Sequence, residues 1–143
     1  MIARSTLLLP LLFAAVATAD VIVKKDGKIL GLPPEIEDGG ESVKVTADNF
    51  RRWLEQSRGQ IEVDGYAGME FARPGGKREV VPIADVADYD FSSSPETRED
   101  AFNQLGAGNL NQAIAAFQDL LKDPQARAVF KAEAEFQIGM CYI

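Results

Sequence analysis

The chain has 143 residues, enough for one modest domain or two small modules. Its 22 Asp and Glu exceed 15 Lys and Arg, a formal net charge of −7, which argues against nucleic acid and anionic membrane surfaces as partners because both require a basic face. The absence of histidine excludes His-based triads, His general bases and His zinc ligands, and a single cysteine, Cys141, excludes an intrachain disulfide.

Residues Met1 to Ala19 read as a cleavable secretory signal peptide. Arg4 supplies the cation of the n-region, Leu7 to Val16 form the apolar run, and Ala17-Thr18-Ala19 offers the small side chains that a peptidase accepts. Cleavage is expected between Ala19 and Asp20. The run contains Pro10 and stops short of the roughly 20 apolar residues needed to cross a bilayer. No cysteine follows it to carry a lipid, so the expected product is an exported, periplasmic or secreted chain with no membrane span. Arg4 leaves with the signal, so the remainder is more acidic still.

Asp20 to Lys25 reads as a strand, Asp26-Gly27 as a tight turn, and Lys28-Ile29-Leu30 as the returning strand. Leu32-Pro33-Pro34 ends the pairing, because proline cannot donate to a ladder. Asp38-Gly39-Gly40 predicts a second turn before the short strand Ser42 to Val45. Phe50, Trp53 and Leu54 then fall on one helical face, with Gly59 placed for a left-handed cap, so Thr46 to Gly59 predicts a short helix. Ile61 to Val63 resumes strand alternation. Gly68 to Arg73 and Lys77 to Ile83 form a hairpin over Pro74-Gly75-Gly76, and Val86, Tyr89 and Phe91 a final strand or 3₁₀ turn. Five or six short strands around one helix predict a small, partly open β barrel or sheet over residues 20–92.

Ser92-Ser93-Ser94-Pro95 marks the boundary, with residues 93–98 as linker and helix start. Ser94 suits the N-cap, Pro95 the first helical position, and Glu96, Glu99 and Asp100 the positive end of the helix dipole. Gly106-Ala107-Gly108-Asn109 predicts the turn to a second, antiparallel helix. Leu110, Ala113, Ile114, Phe117, Leu120 and Leu121 recur every three or four residues, giving one apolar stripe until Asp123-Pro124. The expected class is therefore α+β, with the β module followed by helical hairpins over residues 99–143.

The stretch Gly108 to Leu121, followed by Pro124, resembles the second helix of a tetratricopeptide repeat. Ala113, Phe117 and Pro124 stand where that family has Ala, an aromatic and Pro. Ala134 to Tyr142 is similar to the family's first helix, with Ile138-Gly139 and Tyr142 at the Leu-Gly and Tyr positions. Ala101 and Gly139 stand 38 residues apart where the family has about 34, and Gln104 replaces an aromatic, so a first helix of the second repeat lengthened toward Ala126 is expected. The pattern stops at Ile143 within a first helix, so an incomplete repeat is expected: either the natural chain continues, the favoured expectation, or the exposed end packs on another chain. The opening Val-x-Val-Lys-Lys-Asp-Gly-Lys is similar to the start of small SH3-like barrels that precede repeats in exported bacterial proteins.

No motif singles out a catalytic pair. The acids Asp85, Asp88 and Asp90, and Glu96, Glu99 and Asp100, read as a solvated edge and as dipole partners, without the defined separation of a glycosidase pair or the glycine punctuation of a calcium loop. Gly75-Gly76-Lys77-Arg78 lacks the full glycine spacing of a phosphate loop. Cys141 has no histidine to activate it and reads as a small buried hydrophobe. No cofactor or metal site is expected.

The resemblance implies a groove lined by first helices. It assigns partner binding to Arg98, Phe102 and Leu105 from the first repeat and to Phe136 and Met140 from the second; these side chains could equally serve as contacts to a neighbouring helix. The Lys and Asn that hold a terminal carboxylate in chaperone-binding members are absent, so an apolar or helical peptide partner is expected. The function expected is a non-catalytic, exported protein-binding scaffold of the bacterial envelope. The alternatives are a carboxylate-dependent hydrolase in the β module and a structural subunit of an envelope assembly.

Overall fold

The computed structural model describes residues 19–143, so the expected signal peptide, apart from Ala19, lies outside the described residues. Eight short strands precede three helices, an α+β arrangement. The strands are β1 (Val21–Lys24), β2 (Ile29–Leu30), β3 (Glu35–Asp38), β4 (Glu41–Lys44), β5 (Glu62–Val63), β6 (Gly68–Ala72), β7 (Arg78–Pro82) and β8 (Val86–Asp90). They make three small antiparallel sheets, ordered β2-β1-β8, β3-β4 and β5-β6-β7, and no barrel closes. Where one small barrel or sheet is expected, the strands divide among three separate small sheets.

The hairpins follow local turn chemistry. At the β1–β2 turn Gly27 adopts φ +88 and the Asp26 carboxylate accepts the Lys28 N–H at 2.9 Å. That hydrogen bond holds the Asp26 carboxyl below its ordinary pKa. Gly39 and Gly40 both take positive φ between β3 and β4, as Gly75 does at the β6–β7 tip.

The expected short helix is a 3₁₀ helix, Phe50–Ser57. Phe50 and Trp53 are both buried three residues apart, the spacing that 3₁₀ geometry brings into line. Asn49 fixes its entry, accepting the Thr46 N–H at 2.8 Å and donating to the Lys44 carbonyl at 3.0 Å.

The packing of β1 explains why Val21, Ile22 and Val23 are apolar without a break. Val21 and Val23 point into a core with Leu32, Ile36, Val45, Phe50 and Trp53, while Ile22 points the other way. Each face of the strand is covered, so period-two alternation has no polar side.

The core reached by Ile22 continues into the helices. Val63, Met69 and Phe71 from the strands share it with Ala101, Ala113, Phe117, Phe130 and Ala134. The helices α1 (Glu96–Gly106), α2 (Leu110–Lys122) and α3 (Ala128–Cys141) are therefore packed on the β region through one continuous apolar interior. Phe91, ahead of the helices, meets Phe130 of α3 with ring centroids 6.2 Å apart.

Two helix starts differ from expectation. Ser94 does not cap α1; the Pro95 carbonyl accepts the Arg98 and Glu99 N–H groups, while the Ser94 hydroxyl donates to the Glu99 carboxylate at 3.0 Å. The third helix begins at Ala128, two residues beyond the expected Ala126, because Asp123 holds a turn by accepting the Gln125 N–H at 2.8 Å. Gly108, at φ +80, makes the α1–α2 turn as expected.

Candidate functional site

One ion pair, Arg98–Glu133, ties α1 to α3 and reaches the β region through a tyrosine hydroxyl, and a second, Asp20–Arg127, fastens the helical layer to the β region directly. Glu133 lies in the apolar face of α3 among Val129, Phe130 and Ala134, and all four are fully buried. Its carboxylate receives two hydrogen bonds from the Arg98 guanidinium of α1, at 2.6 and 2.9 Å, and a third from the Tyr89 hydroxyl of β8 at 2.7 Å. The Tyr66 hydroxyl stands 3.1 Å from that of Tyr89. A charge removed from water here is compensated on every side.

The electrostatics follow from this burial. Burial raises the Tyr89 phenol far above its ordinary pKa, and Tyr66 and Glu133 add to the effect. Burial works to lower that of Arg98, but the hydrogen bonds and charge of Glu133 outweigh it and hold the guanidinium firmly protonated. With its oxygens occupied, Glu133 is a structural anchor for the helices.

The second pair joins Asp20 to Arg127. Asp20 is fully buried, and its carboxylate takes hydrogen bonds from the backbone N–H of Val63 at 2.8 Å and of Ser92 at 3.1 Å. Arg127, just ahead of α3, reaches both Asp20 oxygens and also donates to the carbonyls of Ser92 and Val63.

The five residues assigned to a groove separate into two groups. Arg98 is engaged with Glu133, and its guanidinium also lies 4.9 Å from the Phe102 ring. Phe102 is half-buried edge-on to Phe117, with centroids 5.3 Å apart, and Leu105 packs partly buried on the same core. Phe136 and Met140, one turn apart on α3, are 37% and 51% exposed. Between them, a Cβ built on Gly139 would meet nothing within 4 Å. Phe136, Gly139 and Met140 thus line an open apolar strip, closed at one end where Tyr66 packs on Phe136 at 5.3 Å.

The acidic groups are placed as follows. Arg51 pairs with both Asp88 and Asp90. Burial lifts the Asp90 carboxyl above its ordinary pKa, with Arg51 and Arg98 opposing the rise. Beyond the glycine tip, Arg78 pairs with Asp64 and Glu70 at 2.7 and 2.8 Å. Among the described residues, no group of three or more Cys, Asp or Glu side chains is arranged to hold a metal ion, and Cys141 is free and half-buried.

Asp20, Glu133 and Arg127 are absent from the sequence-based assignment. A signal existed for Glu133: it is the acid interrupting the apolar phase of Val129, Phe130 and Ala134, an arrangement that requires a partner. Asp20 and Arg127 carry no comparable local signature.

Comparison with family models, curated proteins and solved structures finds no match to the chain. Among the described residues, no helix is long and apolar enough to cross a membrane.

Proposed function

We propose that this chain is an exported, non-catalytic scaffold of the bacterial envelope that binds a protein partner through a tetratricopeptide-like helical layer. The helical hairpin α1–α2 and the following α3 supply the repeat-like layer; the Arg98–Glu133 pair ties α1 to α3, and the Asp20–Arg127 pair with the Tyr89 hydroxyl holds the layer on the β region. The observation that carries the reading is the open strip of Phe136, Gly139 and Met140, apolar side chains left exposed beside a fully packed core. Large exposed apolar side chains grouped on one helix face favour an amphipathic helix as occupant, docking by burial of its own apolar stripe. The residues assigned to the groove divide the work: Phe136 and Met140 touch the partner, while Arg98, Phe102 and Leu105 keep the helices in register behind them.

The test is capture from an envelope fraction by the wild type and by a Phe136→Ala/Met140→Ala double variant of equal thermal stability. Proteins retained by the wild type and lost from the variant support the proposal. Identical sets on both would overturn it.

A further inference from the structure

A cavity of about 390 Å³ opens on the β region, away from the helices. Its size lies at the small end of the range for sites that take organic ligands, roughly 300–1,000 Å³. Ile29, Leu32, Pro33 and Val45 give it apolar walls, and its only charged lining residues are Lys28 and Lys44. In a chain with 22 acids against 15 bases, a cavity whose charged lining is wholly cationic runs against the surplus.

Among the described residues neither ammonium group is held in an ion pair or hydrogen bond, although the Lys28 charge adds to the backbone hydrogen bond in lowering the pKa of the neighbouring Asp26. Asp26, beside Lys28, is committed to the Lys28 backbone N–H at 2.9 Å and to Lys24 Nζ at 3.4 Å. Glu35, paired with Lys44 across β3 and β4, accepts the Ser42 hydroxyl at 2.9 Å. Among the described residues neither lysine side chain has an ion-pair or hydrogen-bond partner. Both lysines are exposed, while Leu32 and Val45 are buried, so the charges sit toward solvent and the apolar surface inward.

We infer that this cavity is a binding site for a small linear monocarboxylate, its apolar chain laid along Leu32 and Val45 and its carboxylate held by Lys28 and Lys44. An anion carried on an apolar tail satisfies both halves of the lining; a cation meets two like charges, and a neutral alcohol forgoes the ionic half. The site is independent of the helical strip.

Titration of the purified chain with octanoate tests this, followed by the fluorescence of Trp53, the sole tryptophan and a member of the same apolar cluster as Leu32 and Val45. Saturable one-to-one binding is expected, with 1-octanol about tenfold weaker and octylammonium showing none. A Lys28→Gln/Lys44→Gln double variant is expected to unfold at the same temperature and to bind octanoate about tenfold or more weakly. Non-saturating binding, equal binding of octylammonium, or undiminished binding by the double variant would overturn the assignment.

Discussion

The Arg127 guanidinium closes on the Asp20 carboxylate with both nitrogens, at 2.9 and 2.5 Å, across 107 residues of chain. One fully buried acid thereby joins β1, the backbone at Val63, the end of the β region at Ser92 and the start of α3. It is also the residue directly after the expected cleavage point. A chain starting at Asp20 retains this junction; one starting at Val21 loses it and leaves the partly buried Arg127 without its counter-charge. We expect the shorter chain to be less stable by about 3–5 kcal/mol in urea unfolding, and Asp20→Ala in the longer chain to reproduce the loss. Equal stability of the two chains would show that the junction contributes nothing.

Arg98→Ala leaves the Glu133 carboxylate buried with only the Tyr89 hydroxyl, and is expected to cost about 3–5 kcal/mol. Replacing both partners, Arg98→Met with Glu133→Leu, removes the stranded charge and is expected to recover most of that loss. Denaturant midpoints of the single and double variants measure the difference. A double variant as unstable as the single one would contradict a role confined to charge compensation.

Stability is expected to fall on the alkaline side. The folded Tyr89 phenol is held far above its ordinary pKa, so it stays neutral where the unfolded phenol, near pH 10, begins to ionise. The stabilisation is complete below about pH 10 and is lost as the pH rises beyond it. In a spectrophotometric titration of the three tyrosines, Tyr89 should ionise only as the protein unfolds. Tyr89→Phe should flatten the alkaline decline; an unchanged decline would assign it to other groups.

Gly31 and Gly27 form a matched pair. Both have positive φ, +99 and +88, but a Cβ on Gly31 would lie 2.1 Å from the Asp20 carbonyl oxygen, whereas one on Gly27 meets nothing within 4 Å. Gly27→Ala should cost about 1 kcal/mol for backbone conformation alone, and Gly31→Ala at least about 2 kcal/mol more. Thermal unfolding of the two variants checks the order.

Much of the element order is legible because it is written locally. Asp26-Gly27, Gly39-Gly40 and Gly75 mark turns by positions that need positive φ, and Ala113, Phe117 and Leu120 mark the buried face of α2 by helical period. β3 escapes because only Ile36 of its four residues is buried, leaving no alternation to read. The role of Arg98 escapes for a different reason. Helical phase tells which face a residue occupies, but the acid opposite it lies 35 residues away, and no periodicity encodes that distance. Exposure at Phe136 and Met140 is likewise set by what packs around α3, beyond what their spacing carries.

The central claim is that the α3 strip receives a protein partner, and a photo-crosslinking amino acid placed at Met140 tests it most directly. Asp119 of α2, exposed on the same helical layer, serves as the control position. In cells expressing the chain, irradiation should yield a discrete heavier adduct from position 140 that is absent from position 119 and disappears when Phe136 is also changed to Ala. No adduct at position 140, or the same products from both positions, would contradict the account.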